Sequence, residues 1–256
     1  MTANPSKFVW YELITSDVDA AENFYKTVVG WKSEPWESGG EMRYVIMKAG
    51  DTGVAGVMAT PAEAAGMKPA WIGYLYSADV DAATESVRKA GGKVIREPED
   101  IPEIGRFSVV TDPQGALFMM ITPKGEGGTP APQMTPGHVG WHELLAADWK
   151  SAFDFYASQF HWTKGDAVDM GEMGTYQLFA AGGDAIGGMM TKPPQIPSPP
   201  YWLYYFNVGD IDAAAKRVTE NNGKVLMGPI QVPGGAWIVQ CTDPQGALFA
   251  LVGSRA

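Results

Sequence analysis

Thr111–Phe118 reads TDPQGALF, and Thr242–Phe249 repeats it letter for letter, 131 residues further on. An Asp at the first position of a turn accepts backbone N–H bonds. Pro fixes φ at the second position, and Gly tolerates positive φ at the fourth. The motif therefore reads as a hairpin turn between two strands, and its strictness requires no catalytic role.

The same shift holds well outside the motif. Trp10, Glu12, Leu13, Asp17, Phe24, Tyr25 and Trp31 recur as Trp141, Glu143, Leu144, Asp148, Phe155, Tyr156 and Trp162. Trp71, Tyr74, Asp79 and Gly92 recur as Trp202, Tyr205, Asp210 and Gly223. A repeat this long is a duplicated domain rather than a solenoid unit. Residues 1–123 are expected to form the first domain, 124–137 a Pro/Gly-rich linker and 138–256 the second domain.

Each copy divides again. Phe8–Ile14 reads as a strand. Val18, Ala21, Phe24, Tyr25 and Val28 then share one helical face, with Ser16 or Asp17 as N-cap and Gly30 as the stop. Strands are expected at 44–48 and 54–58. The pattern restarts with a strand at 71–77 and a helix ending at Gly91-Gly92. Short strands follow near Val94, at 107–110 and at 117–122. The order is strand, helix, three strands, four times along the chain, which makes the protein α+β.

Composition bounds the function. The net charge of -10 repels phosphate backbones and anionic membrane surfaces, so neither nucleic acid nor membrane is an expected partner. The single cysteine, Cys241, permits no internal disulfide. No N-terminal stretch resembles a signal peptide and no run is long enough to span a bilayer, so a cytoplasmic protein is expected. Nine Trp, ten Tyr and thirteen Met supply large side chains suited to a small-molecule pocket or to a core.

Four βαβββ modules, with an "FY" helix, a "DxDAA" helix and a closing "DPQG" turn in both halves, resemble the vicinal oxygen chelate superfamily, which includes glyoxalase I, bleomycin-resistance proteins and extradiol dioxygenases. The likeness runs from about Phe8 to Val252. It implies modules paired into two half-barrel domains, each with a ligand site inside. It also implies metal ligands at three places: the first strand, the first strand of the next module, and a Glu just past the DPxG turn. Here those places fall on Trp10 and Trp141, near Gly73 and Tyr204, and on Met119 and Ala250. None is a usual divalent-metal ligand. No metal or other cofactor is therefore expected. His138 and His142 share a strand face opposite Trp141, which suits a surface or interface role, and His161 ends its helix.

Glu12 and Glu143 are the candidate catalytic residues. Each lies two residues after a Trp in an otherwise apolar strand. Desolvation there would suit a carboxylate to general acid or base work on a carbonyl compound. The structural alternative is a buried Glu that pairs with a Trp N–H, a Tyr hydroxyl or backbone. Trp10, Tyr44 and Trp71 in the first repeat, and Trp141, Tyr176, Trp202, Tyr204 and Trp237 in the second, are candidate ligand-binding walls. Arg106 is a candidate clamp for an anionic group.

The leading expectation is a protein that binds a small organic molecule in an aromatic cleft without the family's metal. The alternatives are a glyoxalase-like lyase or isomerase with a glutamate base, and a metal-dependent enzyme with non-standard ligands. The duplicated chain already supplies the paired modules, so a monomer or weak homodimer is expected.

Overall fold

The computed structural model describes residues 4–36, 43–125 and 131–255. Four modules follow one another, each a strand, a helix and three strands. The first contains β1 (Phe8–Thr15), α1 (Val18–Val29), β2 (Lys32–Trp36), β3 (Tyr44–Ala49) and β4 (Thr52–Ala59). The second contains β5 (Ala70–Tyr76), α2 (Val80–Lys89), β6 (Lys93–Ile101), β7 (Gly105–Thr111) and β8 (Leu117–Pro123). The third contains β9 (Val139–Ala146), α3 (Trp149–Phe160), β10 (Thr163–Asp169), β11 (Thr175–Ala180) and β12 (Ala185–Thr191). The fourth contains β13 (Tyr201–Asp210), α4 (Ile211–Glu220), β14 (Lys224–Gln231), β15 (Trp237–Thr242) and β16 (Leu248–Ser254). Of the expected linker, residues 126–130 lie outside the described residues.

Strand order is the same in every module. The first strand lies beside the last, in parallel, and the two intervening strands run outward: β1-β4-β3-β2, β5-β8-β7-β6, β9-β12-β11-β10 and β13-β16-β15-β14. The helix is the crossover that a parallel neighbour requires. Each of the α-helices α1 to α4 starts at an Asp whose carboxylate accepts a backbone N–H of the first turn: Asp17 from Ala20 at 3.0 Å, Asp79 from Ala82 at 2.9 Å, Asp148 from Ser151 at 3.1 Å and Asp210 from Ala213 at 2.7 Å. Gly30 stops α1 at φ 88°, a left-handed conformation that glycine adopts without a Cβ clash.

The compact units do not follow the sequence repeat. One comprises residues 4–9, 73–125 and 141–202, and so joins the second and third modules. The other comprises residues 10–36, 43–72, 131–140 and 203–255, and so joins the first and fourth. Each unit thus takes one module from each repeat.

The repeated turn explains this exchange. Asp112 Oδ1 accepts from the N–H groups of Gln114 and Ala116 at 2.8 and 2.9 Å, and Gly115 has φ 99°. Asp243 does the same for Gln245 and Ala247. The second carboxylate oxygen reaches the other repeat. Tyr156 on α3 donates its hydroxyl to Asp112 Oδ2 at 3.2 Å and accepts from Trp202 Nε1 at 3.0 Å. In the other unit Tyr25 on α1 donates to Asp243 Oδ2 at 3.2 Å and accepts from Trp71 Nε1 at 2.8 Å. Burial raises both aspartates above the usual carboxylate range, while the backbone N–H groups and the tyrosine pull them partly back. The turn motif is therefore half of a buried polar latch, and the "FY" tyrosine is the other half. Aromatic rings close around each latch, with Phe24, Trp31, Phe206 and Phe249 in one unit and Phe118, Phe160, Trp162 and Phe179 in the other.

Among the described residues no helix is long and apolar enough to cross a membrane.

Candidate functional site

Alternation along the strands sorts side chains into a face that packs on helices and a face that points away from them. Leu13, Val45, Met47 and Val57 form the buried face of the first module. Trp10, Glu12, Tyr44, Ile46, Gly56 and Met58 take the opposite face, since Glu12 pairs with Gly56, Ile46 with Gly56, and Tyr44 with Met58. On it a short relay forms. Trp10 Nε1 donates to the Tyr44 hydroxyl at 3.1 Å, and that hydroxyl donates to the Glu12 carboxylate. Burial first, and then the charge of Glu12, hold the Tyr44 phenol far above its ordinary pKa, so it remains a donor.

The third module builds the same relay from its own strands. Trp141 Nε1 donates to the Tyr176 hydroxyl at 2.8 Å, and Tyr176 hydrogen-bonds Glu143. Glu12 and Glu143 are only 4% and 7% exposed, whereas their Trp and Tyr partners are half-buried. Each site is thus an aromatic face with a recessed carboxylate, and an ionised carboxylate only accepts hydrogen bonds.

Two glycines make these faces possible. A Cβ at Gly56 would overlap the Tyr44 hydroxyl, and one at Gly188 would overlap the Tyr176 ring. The tyrosines lie across the strand because these positions carry no side chain. Sequence reasoning missed them. The signal was the match of Gly56-Val57-Met58 to Gly188-Met189-Met190, offset by one residue from the main repeat.

Of the residues predicted from sequence, Trp10, Glu12 and Tyr44 therefore come together in one unit, and Trp141, Glu143 and Tyr176 in the other. The remaining candidates lie on the helix-packed side. Trp71 and Trp202 serve the two tyrosine–aspartate latches. Tyr204 is 1% exposed and packs edge-on against Tyr11 at 5.2 Å. Arg106 turns toward α2, where it pairs with Asp81 at 2.7 Å and with Asp100 at 3.3 Å. Trp237, its counterpart, lies under the Arg255 guanidinium at 4.4 Å, and Arg255 pairs with Asp212 at 2.7 Å. Asp81 and Asp212 are equivalent, so both repeats anchor the same aspartate with an arginine drawn from different places.

The positions matched to metal ligands also differ by one residue from the sequence mapping on the first strands of the second and fourth modules. Tyr74 pairs with Met119 and Tyr205 with Ala250, on the face away from the helices. Gly73 and Tyr204 fall on the other face. Among the described residues no three His, Cys, Asp or Glu side chains cluster as a metal would require. His142 is buried rather than outward: it stacks on Phe8 at 4.4 Å, and its Nδ1 lies 2.8 Å from the Ile186 carbonyl. Burial lowers its pKa to about 4. His138 precedes β9 in a bend, and His161 caps α3 at φ 58°. Cys241 is fully buried, which pushes its thiol up to about 12 and leaves it inert.

Comparison with known proteins agrees with this architecture. The family model "Glyoxalase/Bleomycin resistance protein/Dioxygenase superfamily" matches residues 7–120 and again 135–251. The "Putative glyoxylase CFP32" of Mycobacterium tuberculosis is 31% identical over 95% of this chain and 93% of its own length. The "Anthracycline biosynthesis protein DnrV" of Streptomyces peucetius is 30% identical over 98% of this chain and 94% of its own. A Mn(II)-bound glyoxalase from Novosphingobium aromaticivorans shares the fold with a TM-score of 0.68 at 18% identity, covering 99% of this chain and 83% of that one. These matches show that the chain belongs to the glyoxalase/bleomycin resistance protein/dioxygenase superfamily.

Proposed function

We propose that this protein binds a small, flat, oxygen-bearing organic molecule against its Trp–Tyr–Glu faces, and that it does so without the divalent ion held by relatives such as the Mn(II)-bound glyoxalase. One observation carries the reading. At the first-strand position where the family resemblance implies a metal ligand, both repeats place a tryptophan whose N–H is already committed to a tyrosine. Met119 and Ala250, at the position of the family's glutamate, offer no oxygen donor. This donor set does not fit a divalent cation, and no step is routed through one.

The faces have the chemistry of a ligand site. The partly buried indole and phenol rings present their remaining exposed surface, and the recessed carboxylate accepts a hydrogen bond from a ligand hydroxyl. The relatives named as anthracycline biosynthesis proteins support this ligand class, because anthracyclines are fused aromatic rings bearing carbonyl and hydroxyl groups. A suitable probe is the keto-phenol 2-acetyl-1-naphthol, titrated against tryptophan fluorescence. Saturable binding is expected, weakened at least about tenfold at the altered face by Trp10→Leu or Trp141→Leu. Unchanged affinity in both variants would contradict the assignment of these faces.

A second reading is favoured by the burial of Glu12 and Glu143. A carboxylate beside a phenol that remains protonated can take a proton from a carbon next to a carbonyl, giving a lyase or isomerase of glyoxalase type. Here Glu would be the base, and Tyr44 or Tyr176 would hold it in place. Any turnover found should then fall in Glu12→Gln or Glu143→Gln; unchanged turnover in both ends this reading.

A further inference from the structure

The two faces are not equivalent. Tyr201 opens β13 next to Trp202, whose indole points toward α3. By alternation the Tyr201 side chain points to the other face, the one that carries Trp141 and Glu143. It is half-buried, and its burial together with the nearby Glu143 charge raises its pKa. Among the described residues nothing exchanges a hydrogen bond with the Tyr201 hydroxyl. Tyr176, by contrast, is committed to both Trp141 and Glu143. At the place of Tyr201 the first repeat has Ala70, the residue before Trp71.

This difference changes what each face can recognise. The Glu12 face offers a carboxylate acceptor and aromatic surface, but the phenol beside that carboxylate, Tyr44, is engaged. The Glu143 face offers the same groups and a second phenol with a proton to give. A ligand carbonyl is a pure acceptor, which a carboxylate cannot satisfy and a phenol can. We propose that Tyr201 is a specificity-determining residue: its hydroxyl donates to a ligand carbonyl while Glu143 accepts from a ligand hydroxyl, so the second repeat selects keto-phenols and the first does not. The proposal rests on the ligand-binding reading above.

The test is calorimetric titration of the full chain with 2-acetyl-1-naphthol and with naphthalene, which has the same rings and no oxygen. In the wild type, two affinities are expected for the keto-phenol. Tyr201→Phe keeps the ring and should weaken the tighter site about tenfold, leaving naphthalene unaffected. Ala70→Tyr should strengthen the weaker site. If both affinities for the keto-phenol are unchanged in Tyr201→Phe, this inference fails and the ligand-binding reading stands. If naphthalene weakens equally, Tyr201 acts only as packing and the inference also fails. If the wild type binds neither probe, the ligand-binding reading falls and takes this inference with it.

Discussion

The two tyrosine–aspartate latches make a quantitative prediction. Tyr25 is fully buried, and its hydroxyl holds two bonds, one to Asp243 Oδ2 at 3.2 Å and one from Trp71 Nε1 at 2.8 Å. Tyr25→Phe preserves the ring and its packing and removes only these bonds. A hydrogen bond to a buried charged group contributes about 1.5–3 kcal/mol, and an orphaned buried N–H costs about 1–3 kcal/mol more. Asp243 keeps the bonds from Gln245 and Ala247, so the carboxylate is not stripped of donors. The expected loss is therefore roughly 2.5–6 kcal/mol, enough to lower Tm by at least about 5 °C in a chain of this size. Tyr156→Phe should behave alike, since its distances to Asp112 and Trp202 are 3.2 and 3.0 Å. Equilibrium urea unfolding followed by tryptophan fluorescence measures the loss. A cycle with Asp243→Asn should give a coupling energy of about 1 kcal/mol or more. Losses below about 0.5 kcal/mol in both tyrosine variants would refute the latch as the link between the repeats.

Other perturbations follow from the same structure. Gly188→Ala or Gly56→Ala should push the tyrosine out of its place, cost about 1–3 kcal/mol by overpacking and abolish probe binding at that face; a crystal structure showing the tyrosine unmoved would contradict this. His142 titrates at about 4 when folded and near 6.5 when unfolded. The unfolded chain therefore binds the extra proton first. Stability from this group is complete above about pH 6.5 and is lost as pH falls toward 4, by about 3 kcal/mol in total; His142→Gln should flatten that slope in pH-dependent unfolding. Arg106→Ala removes exposed ion pairs with Asp81 and Asp100 and should leave stability to urea nearly unchanged, with probe binding unchanged.

The modules were legible because periodicity, caps and turn residues agreed locally. Asp17, Gly30 and the Asp-Pro-Gln-Gly turns all act as their chemistry predicts. β2, with the sequence KSEPW, was not legible, since four of its five residues are exposed and it carries no apolar alternation. The relays were half legible. Trp10 and Glu12, two apart on a strand, had to share a face, but the tyrosine between them comes from β3, and a partner across a sheet leaves no spacing signal. Trp71 and Trp202 illustrate the opposite difficulty: an aromatic suited to a pocket wall is equally suited to a core, and the latch tyrosines on α1 and α3 decide which. The grouping of the modules into compact units was hidden because it depends on contacts between the repeats.

Binding at the Trp–Tyr–Glu faces without a metal can be measured by titrating 2-acetyl-1-naphthol into protein stripped with a chelator, and again after adding Mn(II), Fe(II) or Zn(II). Saturable binding to the stripped protein is expected, unaltered by metal and weakened by Trp141→Leu. Binding that appears only with one equivalent of metal, and that ignores Trp10 and Trp141, would contradict it.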